Sequence, residues 1–213
     1  MINPFEGLSE LQKRKLLEKL ETHIYSFNEN EEILPTLKSK NIFCILLEGY
    51  AKIISTNYLG EETLIEDLLE NSVFSTNISG IDNVEFQIKA IEFSKVLIID
   101  YNKLIDDKNI NLPYYNIFIL NLFKIINLKM KDNNNRIKIL TKKNIRDKLL
   151  AFFENEYKET RSQNIYLPYN FKDLADYLSI NRSAMFRELR NLKDENFIKI
   201  SGKRITLLYI PVI

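Results

Sequence analysis

Between Asn170 and Leu192 the chain reads NFKDLADYLSINRSAMFRELRNL, and four of these residues have the chemistry of a surface that reads a polyanion. Arg182 and Arg187 each carry a rigid fork of donors, able to pair with O6 and N7 of a guanine in the major groove. Ser183 stands beside them and offers a hydroxyl to a base edge. Arg190, one turn further along, suits a phosphate, and so do Lys203 and Arg204 in the later stretch FIKISGKRITLLYI. Asn170 and Asn181 each precede an apolar-periodic run, as helix caps do, and are assigned to the DNA backbone with Arg190, Lys203 and Arg204. Base reading is assigned to Arg182, Ser183 and Arg187. Phe186 falls among them. It either contacts a thymine methyl or packs against the hairpin that follows, and packing is the favoured of the two.

These side chains need two helices and a hairpin to position them. Asn170 caps a helix on which Leu174 and Leu178 form one apolar face, and Ala175 leaves room for a neighbour. Ser179-Ile180-Asn181 is a three-residue break. Met185, Leu189 and Leu192 then repeat at i, i+4 and i+7, so the arginines face the other way. Phe197–Ile200 and Ile205–Tyr209 read as strands around the turn Ser201-Gly202-Lys203-Arg204. Two short helices, a tight turn and a basic hairpin match a winged helix-turn-helix. Ile145, Leu149, Phe152, Phe153 and Tyr157 mark a preceding amphipathic helix that ends before Gln163–Pro168. This unit is assigned to residues 141–213, with double-stranded DNA as its partner. A small protein-binding winged helix is the alternative.

The first half has another rhythm. Leu8, Leu11, Leu16, Leu17 and Leu20 suggest an opening helix. From His23 to Asp100 short apolar runs (IFCILLEGYAKII, TLIEDLL, FQIKAIEFSKVLIID) alternate with breaks at Gly49, NYLG and NISGIDN, which predicts an all-β barrel or sandwich. Tyr101–Asp107 is a candidate closing helix, and the β unit is assigned to residues 1–110. Residues 111–140 predict a long helix starting near Pro113. Ile119, Leu122, Phe123, Ile126 and Met130 form one stripe, continued by Ile137 and Leu140; Tyr115, Phe118, Leu122 and Ile125 form a second. A helix apolar on two faces can cover the β unit with one and meet a second copy with the other. A central helix in a monomeric core is the alternative. Asn133, Asn134 and Asn135 compete for backbone hydrogen bonds, which makes Asp132–Arg136 a candidate hinge.

Composition narrows the function classes. The 213 residues carry 30 Lys+Arg and 29 Asp+Glu, for a net charge of +1. The sum hides an asymmetry: Thr141–Ile213 holds fourteen basic and nine acidic residues, net +5, which leaves −4 for the remainder. A single His and a single Cys supply no catalytic pair, no P-loop or dinucleotide fingerprint occurs, and no enzyme is expected. No disulfide can form within the chain, no apolar run is long enough to span a membrane, and the first residues lack the layout of a secretory signal. The expectation is a cytoplasmic protein without metal or cofactor.

The stretch LADYLSINRSAMFRELRNLKDENFI is similar to the pattern "LA..LG.SR..VSR.L..L...G.I" of bacterial regulators in the cyclic-AMP receptor protein and fumarate–nitrate reduction regulator superfamily. LLEGYAKI resembles that family's "V.SG.V.V" strand pair, with Gly49 on its glycine. The resemblance covers nearly the whole chain in order. It implies an α+β fold: an N-terminal double-stranded β-helix (jelly roll) like a cyclic-nucleotide-binding domain, a long dimerisation helix and a C-terminal winged helix-turn-helix. It implies a homodimeric transcription regulator on a palindromic operator, with RNA polymerase as a further partner if transcription is raised. Arg182 and Arg187 fall on the two arginines of the pattern. Ser183 stands where several members carry a base-reading Glu, which points to a different half-site, and Asn181 replaces the usual Ser.

The sensor departs from the family. Where nucleotide binders resemble "FGELAL…R.AT", this chain has VFSTNISGIDNVEFQIKA, and Ser75, Thr76, Val84 and Gln87 stand roughly at the Gly, Glu, Arg and Thr positions. No Arg occurs between Arg14 and Arg136. A buried cyclic phosphate would lack a countercharge, so independence of cyclic AMP is expected. An iron–sulfur cluster needs about four Cys ligands against the one present. A haem-sensing member of the family, using His23 with Cys44 or the N-terminus, is a second alternative; but His23 reads as a surface or packing residue and Cys44 as a core thiol.

Overall fold

The apolar run at Ile42–Leu46 is explained by burial on both faces. Strand β2 (Ile42–Glu48) points Cys44 and Leu46 to one side and Phe43 and Ile45 to the other, and all four are at most 2% exposed. A strand covered on both faces cannot alternate with polar residues. Cys44 and Leu46 join an interior with Phe27, Ile53, Leu68, Phe74 and Val96. Phe43 and Ile45 lie beneath helices, against Leu16, Leu20, Leu104 and Phe118. The computed structural model describes residues 2–33, 41–60, 62–75, 86–109, 111–167 and 170–210, which fall into two units, Met1–Lys129 and Met130–Ile213.

In the first unit, β1 (His23–Phe27), β7 (Ser94–Asp100), β2 and β5 (Val73–Ser75) form one antiparallel sheet in the order β1-β7-β2-β5. The second contains β3 (Ala51–Thr56) between β4 (Glu62–Leu68) and β6 (Phe86–Ala90). Gly49 makes the turn from β2 to β3 at φ +95°, where an added Cβ would lie 2.3 Å from the Phe93 carbonyl oxygen. Only glycine fits both constraints. Helix α1 (Glu10–Lys19) begins in a capping box between Ser9 and Gln12. Helix α2 (Tyr101–Leu104) and a 3₁₀ turn at Asp107–Asn109 follow β7.

Helix α3 (Pro113–Leu140) runs unbroken for 28 residues. The expected hinge at Asp132–Arg136 is not a break: the backbone there is helical. The side chains of this part are engaged in the second unit. Ile139 is in its core, the Arg136 guanidinium lies 5.0 Å from the centre of the Tyr177 ring, and Lys131 pairs with Glu159 at 2.9 Å. These contacts offset the weak propensity of three asparagines.

The apolar stripes of α3 also divide differently from the expectation. Leu122 is 4% exposed and packs with Tyr115 and Phe118 on the first unit's core, where Ile119 and Ile126 are partly buried beside it. Leu122 is thus a core residue and Ile119 and Ile126 pack against that core, whereas Phe123 and Met130 are 67% and 58% exposed. Buried Asn121 donates from Nδ2 to the carbonyls of Pro4 (3.2 Å) and Glu6 (2.8 Å), which fixes the N-terminal segment against α3.

The second unit continues with α4 (Ile145–Thr160), β8 (Asn164–Tyr166), α5 (Phe171–Tyr177), α6 (Arg182–Asp194), β9 (Ile198–Ser201) and β10 (Arg204–Leu207). The sheet has the order β8-β10-β9. Strand β8 has only three residues, with Ile165 alone buried, too short for a period-2 signal. Leu149, Phe153, Leu174, Met185, Leu189, Leu192, Ile198 and Ile205 form the core, at about 1.5–3 kcal/mol per fully buried side chain. Among the described residues no helix is long and apolar enough to cross a membrane, and no cluster of three His, Cys, Asp or Glu could hold a metal ion.

Candidate nucleic-acid interface

Helix α5 is set by its caps. Asn170 Oδ1 accepts from the backbone N–H groups of Lys172 and Asp173, and its Nδ2 donates to Asp173 Oδ2 at 2.7 Å. At the other end Ser179 adopts φ +50°, its N–H donates to Asp176 O, and the Ile180 N–H donates to Ala175 O. This is a Schellman ending with serine where glycine is usual. Lys148 Nζ donates to Leu178 O at 3.1 Å and places a cation at the negative helix end. The chain then turns at once into α6, capped by Asn181 Oδ1 accepting from the Ala184 N–H.

Helix α6 buries Met185, Leu189 and Leu192 and exposes Arg182, Ser183, Phe186, Arg187 and Arg190. A second device fixes its orientation. Arg146 near the start of α4 donates to Glu188 Oε1 at 3.3 Å and to Glu195 Oε1 at 2.9 Å, and its guanidinium lies 5.1 Å from the centre of the Phe197 ring. The hydrogen bond from Arg146 holds the Glu195 carboxyl below the usual carboxylate range. Glu188 and Glu195 are thus drawn toward Arg146 of α4. Among the described residues, Arg182, Arg187, Arg190, Lys203 and Arg204 make no ion pair, so their charge is available to a ligand.

The hairpin is tighter than its sequence suggested: Arg204 pairs with Ser201, and only Gly202 and Lys203 form the turn. Gly202 takes φ +60°, as the first central position of a two-residue hairpin turn can require. Lys203 is therefore at the tip, while Arg204 sits in β10 between Ser201 and the exposed Tyr166 of β8. Phe186 has a packing partner on α5. Its ring packs on Phe171 of α5 with centroids 5.3 Å apart, and the Arg182 guanidinium lies 5.7 Å from the Phe186 ring centre. Phe171 and Arg146 were not singled out from the sequence; their partners are distant along the chain, and no local period marks them.

In the first unit, Ser75 is 2% exposed, with its Oγ donating to Ile42 O at 2.8 Å, and Gln87 lies on β6 opposite Ile54. Thr76 and Val84 lie outside the described residues. Burial pushes the Cys44 thiol up to about 12, so it stays protonated near neutrality, whereas metal ligation requires the thiolate. His23 is exposed on β1. The two side chains are separated by strand β7, because each pairs across it with Ile98.

A β roll, a long helix and a winged helix-turn-helix thus follow one another in that order along the chain. No family model and no curated protein matches the sequence. Solved structures do share the fold. CprK bound to OCPA matches at a TM-score of 0.70 and 17% identity, over 92% of this chain and 91% of its own. A CooA variant from Carboxydothermus hydrogenoformans matches at 0.66 and 18%, over 95% and 87%. The c-di-GMP-responsive global regulator CLP of Xanthomonas campestris matches at 0.56 and 13%, over 95% and 100%. At identities of 13–18%, these likenesses show the fold.

Proposed function

We propose that the chain is a sequence-specific, DNA-binding transcription regulator that works as a homodimer and does not depend on cyclic AMP. The observation that carries this is α6: one face locks into the core, and the other presents three arginines with no ion-pair partner among the described residues. Arg182, Ser183 and Arg187 take the base edges. Arg190, Lys203 and Arg204 take phosphates, while Asn170 and Asn181 shape the two helix starts that meet the backbone.

The dimer partner is a second copy, joined along α3. Leu120, Phe123, Asn127, Met130, Asn134 and Ile137 follow one another at alternating steps of three and four, the spacing of a coiled-coil seam. All six are exposed, and the four apolar members are 57–67% exposed. Two copies joined this way present two recognition helices to half-sites about one helical turn (~34 Å) apart. If the regulator raises transcription, RNA polymerase is its further partner.

The test is selection of bound duplexes from a random pool, followed by binding measured against salt. A palindrome is expected, with affinity falling steeply as salt rises. No selected sequence, together with salt-independent or absent binding, would overturn the proposal.

A further inference from the structure

Phe186 is the one large apolar side chain in the middle of the exposed cationic face of α6, and it is 41% exposed. Its sequence position is where the regulators resembled above carry a small Ser. A ring serving only to pack would be expected to close over. This one is propped instead: Phe171, at the first turn of α5, supports one side at 5.3 Å, and the Arg182 guanidinium lies beside it at 5.7 Å. Arg182, Phe186 and Arg190 succeed one another at i, i+4 and i+8, with Arg187 alongside. Any approach of α6 that brings Arg182 and Arg187 to base edges therefore brings the Phe186 ring there too.

We propose that Phe186 is a specificity-determining residue that reads the C5-methyl group of a thymine adjacent to the guanine paired by Arg182. The inference rests on the DNA-binding reading above. An apolar ring held in a major groove has one apolar group to meet, the thymine methyl, while polar base edges left against it would lose their water. The neighbouring guanidinium is restrained by the same ring, so one side chain both reads a base and positions the reader of the next.

The experiment replaces thymine with uracil, which removes only the methyl. Once an operator is selected, each thymine of a half-site is exchanged in turn, and affinity is measured by fluorescence anisotropy for the wild type, Phe186→Ser and Phe186→Leu. One thymine is expected at which the exchange weakens wild-type binding about fourfold per half-site, the equivalent of one buried methyl. The same exchange should cost Phe186→Ser nothing and Phe186→Leu part of the effect. Thermal unfolding of both variants shows whether the fold is kept, and Phe186→Leu, which retains an apolar contact on Phe171, serves if Phe186→Ser does not fold. An operator whose thymines all tolerate uracil, or an undiminished penalty in the variants, overturns this assignment and leaves the DNA-binding reading standing. Failure to select any operator overturns the DNA-binding reading, and the assignment with it.

Discussion

Arg187 and Lys203 are both exposed cations within one unit, yet on the proposed DNA-binding reading they have different work. Arg187 projects from a helix whose opposite face is locked into the core, so the direction in which its side chain leaves the backbone is fixed; Lys203 is at the tip of a two-residue turn. Arg187→Ala is expected to reduce discrimination between operator and random DNA by about 1–3 kcal/mol per half-site. Lys203→Ala should weaken all sequences alike and flatten the salt slope by roughly one unit. Binding curves on both DNAs at several salt concentrations check the pair, and unchanged discrimination in Arg187→Ala would remove it from the reading face. Ser179 is a residue at odds with its backbone, since φ +50° favours glycine. Ser179→Gly is expected to stabilise the unit by about 0.5–1 kcal/mol, because relief of the left-handed penalty outweighs the entropy glycine gains when unfolded. A thermal melt that drops on this change would contradict it. The arginines were legible in the sequence because Met185, Leu189 and Leu192 fix the helical phase. The support under Phe186 was not, because Phe171 is on another helix across a turn.

Two elements depend on what other parts of the chain do to them. Helix α6 is clamped to α4 through Arg146, Glu188 and Glu195. The Glu195 carboxyl is lowered by its hydrogen bond to Arg146, so the stability it adds is fully present above the unfolded carboxylate range and is lost as pH falls through the folded value. Wild type should therefore exceed Glu195→Gln in denaturant midpoint at neutral pH. The gap should close below about pH 4, and a gap that persists into acid would show the clamp to be something other than an ion pair. Helix α3 was expected to offer Ile119, Leu122, Phe123, Ile126 and Met130 to a partner; three of these serve the first unit's core, and the open row is Leu120, Phe123, Met130 and Ile137. Phe123→Glu is expected to shift sedimentation toward monomer and to abolish binding to a two-half-site operator while leaving the helical signal in circular dichroism intact. A dimer unaffected by that change would place the seam elsewhere. Asn127 and Asn134 within the row would fix its register at some cost in stability, as buried polar groups do in coiled coils.

Across the whole molecule, charge is partitioned. The near-neutral total conceals a stretch from Thr141 onward with net +5 and an acidic remainder, an arrangement that on the proposed reading would limit indiscriminate binding to DNA while keeping one cationic face. The chain has no Arg between Arg14 and Arg136, so calorimetry with cyclic AMP should show no micromolar binding; a clear isotherm would overturn that expectation. The sequence by itself determined the order of the parts, because each has its own local period: alternation and double-sided apolar runs for strands, steps of three and four for helices, and polar breaks between them. It also determined which residues of α6 face outward, since burying one face of a helix exposes the other. Only the tertiary structure decided which stripe of α3 the first unit consumes, what props Phe186, and what clamps α6. Those depend on contacts between residues far apart in the chain, and burial there is settled by the neighbour that arrives rather than by the spacing of the residues that receive it.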